Sequence, residues 1–323
     1  MADKLVFARD HLPWAPPALL LEPRGHKDLY GAILTEPCSL EADLGVIFMS
    51  NQDYEPMCGH GLIGVVTSVL ECGILSPSEP ETSLVVETAV GLIGVRAWVE
   101  AGRVQRVAFD NVPSFALMLD AELVMPDGGT LKVDVAFGGN FFVLVEASQL
   151  DLDLTPACLD RLVEVGMAIL TAANQQFTVA HPDIPEARQI TDVRFLAPPL
   201  SPAAHSRNVV VLGDRMVDRS PCGTGTCAEL AVRYARGLLQ VGQPFITESI
   251  LGTQFIGSVV REVVKGSGGK SDPARIYPAR NYPARNYPAI IPRVEGSAYI
   301  TGINQLVFSE SDPFQRGFLL ASA

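Results

Sequence analysis

The stretch "PMCGHGLIGVVTSVLECG" (Pro56–Gly73) sets a cysteine immediately before a glycine–histidine–glycine turn and an apolar run. Leu62, Ile63, Val65, Val66, Val69 and Leu70 cover most of the surface of the helix that this run predicts. A helix apolar on nearly every side belongs inside a core, wrapped by sheet. Gly73 is its expected C-terminal cap. The pattern returns in "SPCGTGTCAELAVRYARG" (Ser220–Gly237), where Cys222 precedes a glycine-rich turn and a second helix ended by Gly237. Each half of the chain therefore carries a helix with a thiol at its start.

Outward from these helices the sequence reads as sheet. "LGVIFMS" is a buried strand by composition, and "SLVVET", "LIGVRAWVE" and "RVQRVAF" follow at hairpin spacing, with Ala101-Gly102 as a turn. A boundary falls near Asn111–Leu117. Beyond it "LKVDVAF" and "FFVLVEA" are joined through Gly138-Gly139-Asn140, and a long helix follows from Thr155, its N-cap, through Pro156 to about Gln176. "RNVVVLGD" leads into the second cysteine turn. Residues 265–287 differ: "YPARNYPARNYPA" repeats a five-residue unit behind "KGSGGKSDPAR", a composition with little to bury, and reads as a disordered insertion.

The chain has 323 residues, 48% hydrophobic and 19% charged, enough for two medium domains. Its formal net charge of -12 argues against nucleic-acid or anionic-membrane partners. No apolar run has the length of a bilayer span, and the first residues lack the apolar core of a signal peptide, so a cytoplasmic location is expected. The six cysteines are widely spaced, without a C-x-x-C pair, which fits neither a zinc framework nor a disulfide scaffold. Cys38, Cys72 and Cys158 are expected to be small buried hydrophobes.

Cys58 and Cys222 invite a chemical reading. A helix N-terminus presents unpaired N–H groups and about half a positive charge. It is expected to lower the pKa of a thiol beside it and to form an anion site that glycines let a carboxylate approach. Gly59, His60 and Gly61 supply donors at one end; Gly223, Thr224, Gly225 and Thr226 supply them at the other. Two such ends facing each other would hold a substrate carboxylate with a sulfur on each side of the adjacent carbon, an arrangement suited to stereoinversion. One thiolate removes the α-proton, the other thiol returns one, and the N–H groups stabilise the charge between. No cofactor pattern is evident. Asp218 is placed to accept from a substrate ammonium, or else to cap a turn; His60 is placed to orient substrate, or else to serve the turn alone.

At these residues the sequence resembles the proline racemase family, through "EPRGHKDLYGAILTEP", "MCGHG", "GGNFF", "VDRSPCGTGTCA", "ESILG" and "PRVEGSAYITG". The resemblance implies an α/β (α+β) fold of two similar domains like diaminopimelate epimerase, each a curved, mostly antiparallel sheet or barrel around a central helix, with the site in the cleft. It places the first domain at residues 1–115, completed by about 296–323, and the second at 116–295. It implies Cys58 and Cys222 as the acid/base pair, with Gly59, His60, Asp218, Gly223 and Thr224 binding substrate, no cofactor or metal, and a homodimer. The expected reaction is inversion at the α-carbon of proline. The alternatives are 4-hydroxyproline 2-epimerisation and, in another class, binding of an imino acid without turnover. Retention of both thiols favours inversion over the dehydration catalysed by relatives that carry threonine at the Cys222 position. Asp192, where the epimerases often have histidine, favours proline. Family members begin with a strand bearing a His-Thr-x-Gly-Glu-like motif, for which this chain has "MADKLVFARDHLPWAPPALLL", so an uncovered edge is expected in the first domain.

Overall fold

The computed structural model describes residues 1–51, 53–181, 184, 187–213, 215–263 and 289–320; the predicted insertion at 265–287 lies outside them. The chain divides into two compact units, Met1–Ala108 with Ser297–Ala323, and Phe109–Gly296.

The first unit begins with helices α1 (Ala2–His11) and α2 (Ala15–Leu20). Strands β1 (Gly31–Thr35), β2 (Leu44–Met49) and β3 (Tyr54–Glu55) follow, then α3 (Gly59–Glu71), then β4 (Glu81–Thr88), β5 (Gly91–Glu100) and β6 (Arg103–Asp110). The sheet order is β1-β2-β4-β5-β6, with β3 also on β2. Alternation builds β4 and β5, whose residues are buried at every second position. β2 is buried along its whole length, as its unbroken apolar run predicts. Ala101 (φ 51°) and Gly102 (φ 72°) make the tight left-handed turn between β5 and β6. The six apolar residues named in α3 are each at most 8% exposed, so the helix is a core element. It ends where Gly73 (φ 72°) lets the Ile74 N–H return to the Val69 carbonyl at 2.9 Å.

The N-terminal residues do more than leave an edge bare. β1 is an outer strand, but Leu5, Ala8 and Leu20 of α1 and α2 pack with Ile47, Met49 and Tyr54. Arg9 donates to the Tyr54 carbonyl at 2.7 Å, and the Tyr54 hydroxyl donates to the Leu12 carbonyl at 2.9 Å. The final segment lies against the same region: Arg24 sits over the Phe308 ring and pairs with Asp312.

The second unit contains β7 (Ser114–Val124), β8 (Thr130–Phe137), β9 (Phe141–Glu146), α4 (Leu159–Gln176), β10 (Ile190–Ala197), β11 (Ser206–Leu212), β12 (Val217–Asp218), α5 (Gly223–Ala235), β13 (Pro244–Glu248), β14 (Gln254–Glu262) and β15 (Ala289–Gly296). Eight of these strands run β7-β8-β9-β10-β11-β13-β14-β15, and β15 pairs back onto β7 through Ala289↔Phe115 and Ile290↔Ser114, closing a barrel. β10 lies parallel to β9, and β11 to β13; the other barrel pairings are antiparallel. α5 is covered on both sides. Ala228 and Val232 pack with Ala116, Ala136, Phe142, Leu144 and Val210; Leu230 and Ala231 pack with Phe245, Val259 and Ile290. α4 lies on the opposite face of β10 and β11, where a Cβ at Gly166 would stand 2.9 Å from Val211.

Among the cysteines, Cys58, Cys222 and Cys227 are buried, whereas Cys38 and Cys72 are exposed and Cys158 is intermediate. That corrects the expectation of three small core residues. Cys72 closes the solvent end of α3, and Cys158 closes the 3-10 turn before α4, positions that do not face the core. No described helix is long and apolar enough to cross a membrane.

His181 is packed against the rings of Phe115 and Phe137, and its Nδ1 accepts from the Ile184 N–H at 3.1 Å. Burial pushes its pKa down from 6.5 to about 4. The unfolded chain therefore takes up a proton that the folded one refuses, and stability falls as pH drops from 6.5 to about 4. Urea unfolding of His181→Phe across that interval is expected to show a shallower acid loss than wild type. Identical slopes would exclude His181 as its source.

Candidate active site

Both sequence-predicted thiols stand where a strand gives way to a buried helix. Cys58 is the N-cap of α3, extended (φ -140°, ψ 113°), 7% exposed, with its Sγ 3.6 Å from His60 Nε2. The His60 ring meets Tyr30 edge-on at 5.2 Å. The first i to i−4 bond of α3 is Leu62 N–H to the Cys58 carbonyl, so the N–H groups of Gly59, His60 and Gly61 precede the helical ladder.

Cys222 is the N-cap of α5 and 4% exposed. Its φ of 62° lies in the left-handed region, where a non-glycine residue is strained. That geometry turns the sulfur back over the helix start, where Sγ accepts from the Gly225 N–H at 3.3 Å and lies 3.7 Å from Thr224 Oγ1. Thr226 N–H makes the first helical bond, to the Cys222 carbonyl, so Gly223 and Thr224 also point N–H groups ahead of the ladder.

A glycine stands three residues after each cysteine, for a steric reason. A Cβ at Gly61 would lie 3.1 Å from the Cys58 sulfur, and one at Gly225 would lie 3.1 Å from the Cys222 sulfur. The Gly138-Gly139-Asn140 turn presses on the first turn of α5. A Cβ at Gly138 would collide with the Thr224 carbonyl and stand 2.5 Å from the Ala228 nitrogen. Asn111 ties this turn down, donating to the Gly138 carbonyl at 2.8 Å and to the Cys227 sulfur at 3.2 Å. Burial pushes the Cys227 thiol up to about 12, so this third buried cysteine stays protonated.

Two carboxylates flank Cys222. Asp218, 8% exposed on β12, accepts the Ser220 N–H at 2.8 Å, and the Ser220 hydroxyl accepts the Cys222 N–H at 3.0 Å. The Ser220 bond is the contact that the turn-capping reading of Asp218 calls for, and the Asp218 charge acts on the thiol. Asp192, 2% exposed on β10, accepts from Asn140 and from Thr191 Oγ1.

The Cys222 thiol is pushed well above its ordinary value, opposite to the direction expected from the helix terminus. Burial is the largest cause, and Asp218 and Asp192 add to it; Arg194 and the Gly225 N–H work against it without prevailing. Half a charge at a helix end cannot offset complete desolvation beside two anions.

The largest feature that sequence reasoning missed is Arg194. It is fully buried, with Nη2 2.8 Å from Glu229 Oε2 on α5. The available signal was Arg194 between Val193 and Phe195 in "ITDVRFLA", and Glu229 inside the apolar run "CAELAV", charges of opposite sign among apolar neighbours. Among the described residues no group of three or more His, Cys, Asp or Glu comes together as a metal-ligand set. A cavity of about 580 Å³ lies towards the other end of α5, bounded by Glu146, Arg233 and Arg236 among others, and includes none of the predicted site residues.

A family model described as proline racemase matches residues 1–319. The chain is 39% identical over 320 residues to a proline racemase of Clostridioides difficile, covering 99% of this chain and 90% of that protein. It is also 39% identical over 303 residues to a trans-3-hydroxy-L-proline dehydratase of Azospirillum brasilense, covering 94% of this chain and 85% of that protein. A crystal structure of a hydroxyproline epimerase from Agrobacterium vitis, with bound trans-4-hydroxy-L-proline, is similar with a TM-score of 0.84 and 33% identity, covering 99% of this chain and 86% of that one.

The charge balance around Cys222 gives a direct test. Asp218→Asn keeps an oxygen for the Ser220 N–H but removes the anion, so the Cys222 thiol should titrate at lower pH. The difference in thiolate ultraviolet absorbance between Asp218→Asn and the same protein carrying Cys222→Ser reads this midpoint. A midpoint equal to wild type would remove Asp218 from the electrostatics of the site.

Proposed function

The chain belongs to the proline racemase family, and we propose that it inverts the α-carbon of proline by a two-thiol acid/base reaction without a cofactor. The observation that carries this reading is the duplicated device of a buried cysteine at the N-cap of a core helix, with glycine three residues on to make room for the sulfur. In one direction the Cys58 thiolate takes the α-proton: the C–H bond breaks, an S–H bond forms, and the electron pair moves into the carboxylate. Cys222, which burial keeps protonated, then breaks its S–H bond and delivers a proton to the opposite face of the flattened carbon. The reverse direction exchanges the roles. The N–H groups of Gly59 and His60, and of Gly223 and Thr224, receive the charge that builds on the carboxylate. The Asp218 carboxylate faces the substrate ammonium, and His60 orients the Cys58 sulfur.

A second reading, 4-hydroxyproline 2-epimerisation, is favoured by the likeness to the Agrobacterium vitis enzyme. Asp192, held by Asn140 and Thr191, is the proposed point of discrimination between the two substrates. Dehydration is disfavoured because it needs no second thiol at the Cys222 position. By the same resemblance the working unit is a homodimer.

Cys58→Ser and Cys222→Ser are each expected to lower turnover of L-proline by about 10²–10⁴-fold, the usual contribution of a positioned acid or base. Chiral chromatography on L-proline and on trans-4-hydroxy-L-proline reads both loss and substrate preference. Wild-type turnover in either serine variant would overturn the two-thiol reading. Asp218→Asn should also weaken substrate binding measured by calorimetry; unchanged affinity would confine Asp218 to its turn.

A further inference from the structure

Arg194 is buried with every one of its donors engaged. Nε and Nη2 both reach Glu229 Oε2, at 3.2 and 2.8 Å; Nη2 also donates to Thr247 Oγ1 at 3.1 Å. Nη1 donates to Asn208 Oδ1 and to the Pro221 carbonyl, both at 2.9 Å. Five N–H groups make five bonds, the full capacity of a guanidinium. A buried ion pair seldom repays its desolvation, and apolar residues in its place are often as stable or more so. Stability alone therefore accounts poorly for a charge here.

The partner that gives the placement meaning is the Pro221 carbonyl. It belongs to the peptide that enters Cys222, the residue held at φ 62°. A left-handed conformation at a non-glycine residue persists only when its surroundings over-determine it. Arg194 Nη1 donates to that carbonyl at 2.9 Å, while the Thr226 hydroxyl stands 3.2 Å from it and only 2.6 Å from the next carbonyl, that of Cys222. Gly225 is part of the same arrangement, since a Cβ there would stand 2.9 Å from Nη1. The guanidinium passes beneath the first turn of α5 only because that residue has no side chain.

We propose that Arg194 is a positioning residue for Cys222: it holds the Pro221 carbonyl, and with it the strained backbone that aims the Cys222 sulfur at the start of α5. Glu229 holds the guanidinium from the helix, while Asn208 and Thr247 hold it from β11 and β13. The charged groups acting on the thiol are then Asp218 on β12, Asp192 and Arg194 on β10, and the helix terminus itself. Arg194 opposes the two carboxylates. This inference rests on the catalytic reading of Cys222, but its principal readout does not.

Two variants test it. Arg194→Lys keeps the cation and the pairing with Glu229 but cannot hold Pro221, Asn208 and Thr247 together. Arg194→Met with Glu229→Gln removes both buried charges and leaves an amide for the partly exposed Arg233, so no fully buried charge is stranded. In the double variant the Cys222 midpoint, read as the thiolate absorbance difference from its Cys222→Ser counterpart, is expected to rise. In both variants kcat should fall at least about tenfold with KM little changed, within the range that an ångström-scale misplacement costs. A purely structural Arg194 would lower the unfolding temperature and leave the midpoint and the kcat of folded protein unmoved. That result would overturn the proposal. If Cys222→Ser itself turned over like wild type, the functional reading would fail, and the thiol midpoint would still decide whether Arg194 governs Cys222.

Discussion

A helix that must be dry on every side governs the second unit. α5 offers Ala228 and Val232 to one group of strands and Leu230 and Ala231 to another, so no single layer of sheet can bury it. Closing the barrel through β15 and β7 satisfies both faces and leaves no open edge in the ring. The helix must still begin somewhere, and its first N–H groups have no partners in the ladder. Cys222, with its sulfur on the Gly225 N–H, occupies that beginning. The proposed acid/base thiol thus sits where a largely buried helix has polar capacity left. α3 and Cys58 meet the same constraint in the first unit.

Placing a thiol there has an electrostatic consequence. The helix terminus alone favours a thiolate, yet burial together with Asp218 and Asp192 favours the thiol. A protonated Cys222 suits a proton donor, and it keeps the sulfur from oxidising as readily as an exposed thiolate does. Arg194 moderates the effect from beneath, and its own burial is tolerable because all five donors are engaged. Charge, strain and glycine spacing at Cys222 form one local balance, in which removing any member shifts the others.

Much of this was legible in the residues. The apolar circumference of α3, the glycines that end α3 and α5, the Ala101-Gly102 turn and the two cysteines at helix starts follow from spacing and side-chain size. β7, with its register shifts opposite β8, and the closure of β15 onto β7 were not legible, because strand order depends on pairings distant in sequence. The packing of α1 was hidden for another reason: its apolar run Leu5-Val6-Phe7-Ala8 is spread round the helix, and nothing in the sequence says that Leu5 and Ala8 are buried against β2 while Val6 and Phe7 stay exposed. The direction of the Cys222 shift was misjudged because a sequence displays a helix start but not the depth at which it lies. Arg194 escaped notice because a charge in a strand looks like a solvent-facing position until its partner on α5 is seen.

The central claim, that two separate thiols handle the two faces of one carbon, is tested most directly by isotope uptake during racemisation of L-proline in deuterium oxide. With two acid/base groups, D-proline formed early in the reaction carries deuterium at its α-carbon while the remaining L-proline does not, because the proton taken from one face is not the one returned to the other. Deuterium entering the remaining L-proline as fast as D-proline appears, or D-proline that keeps the original proton, would contradict the account and point to a single group acting on both faces.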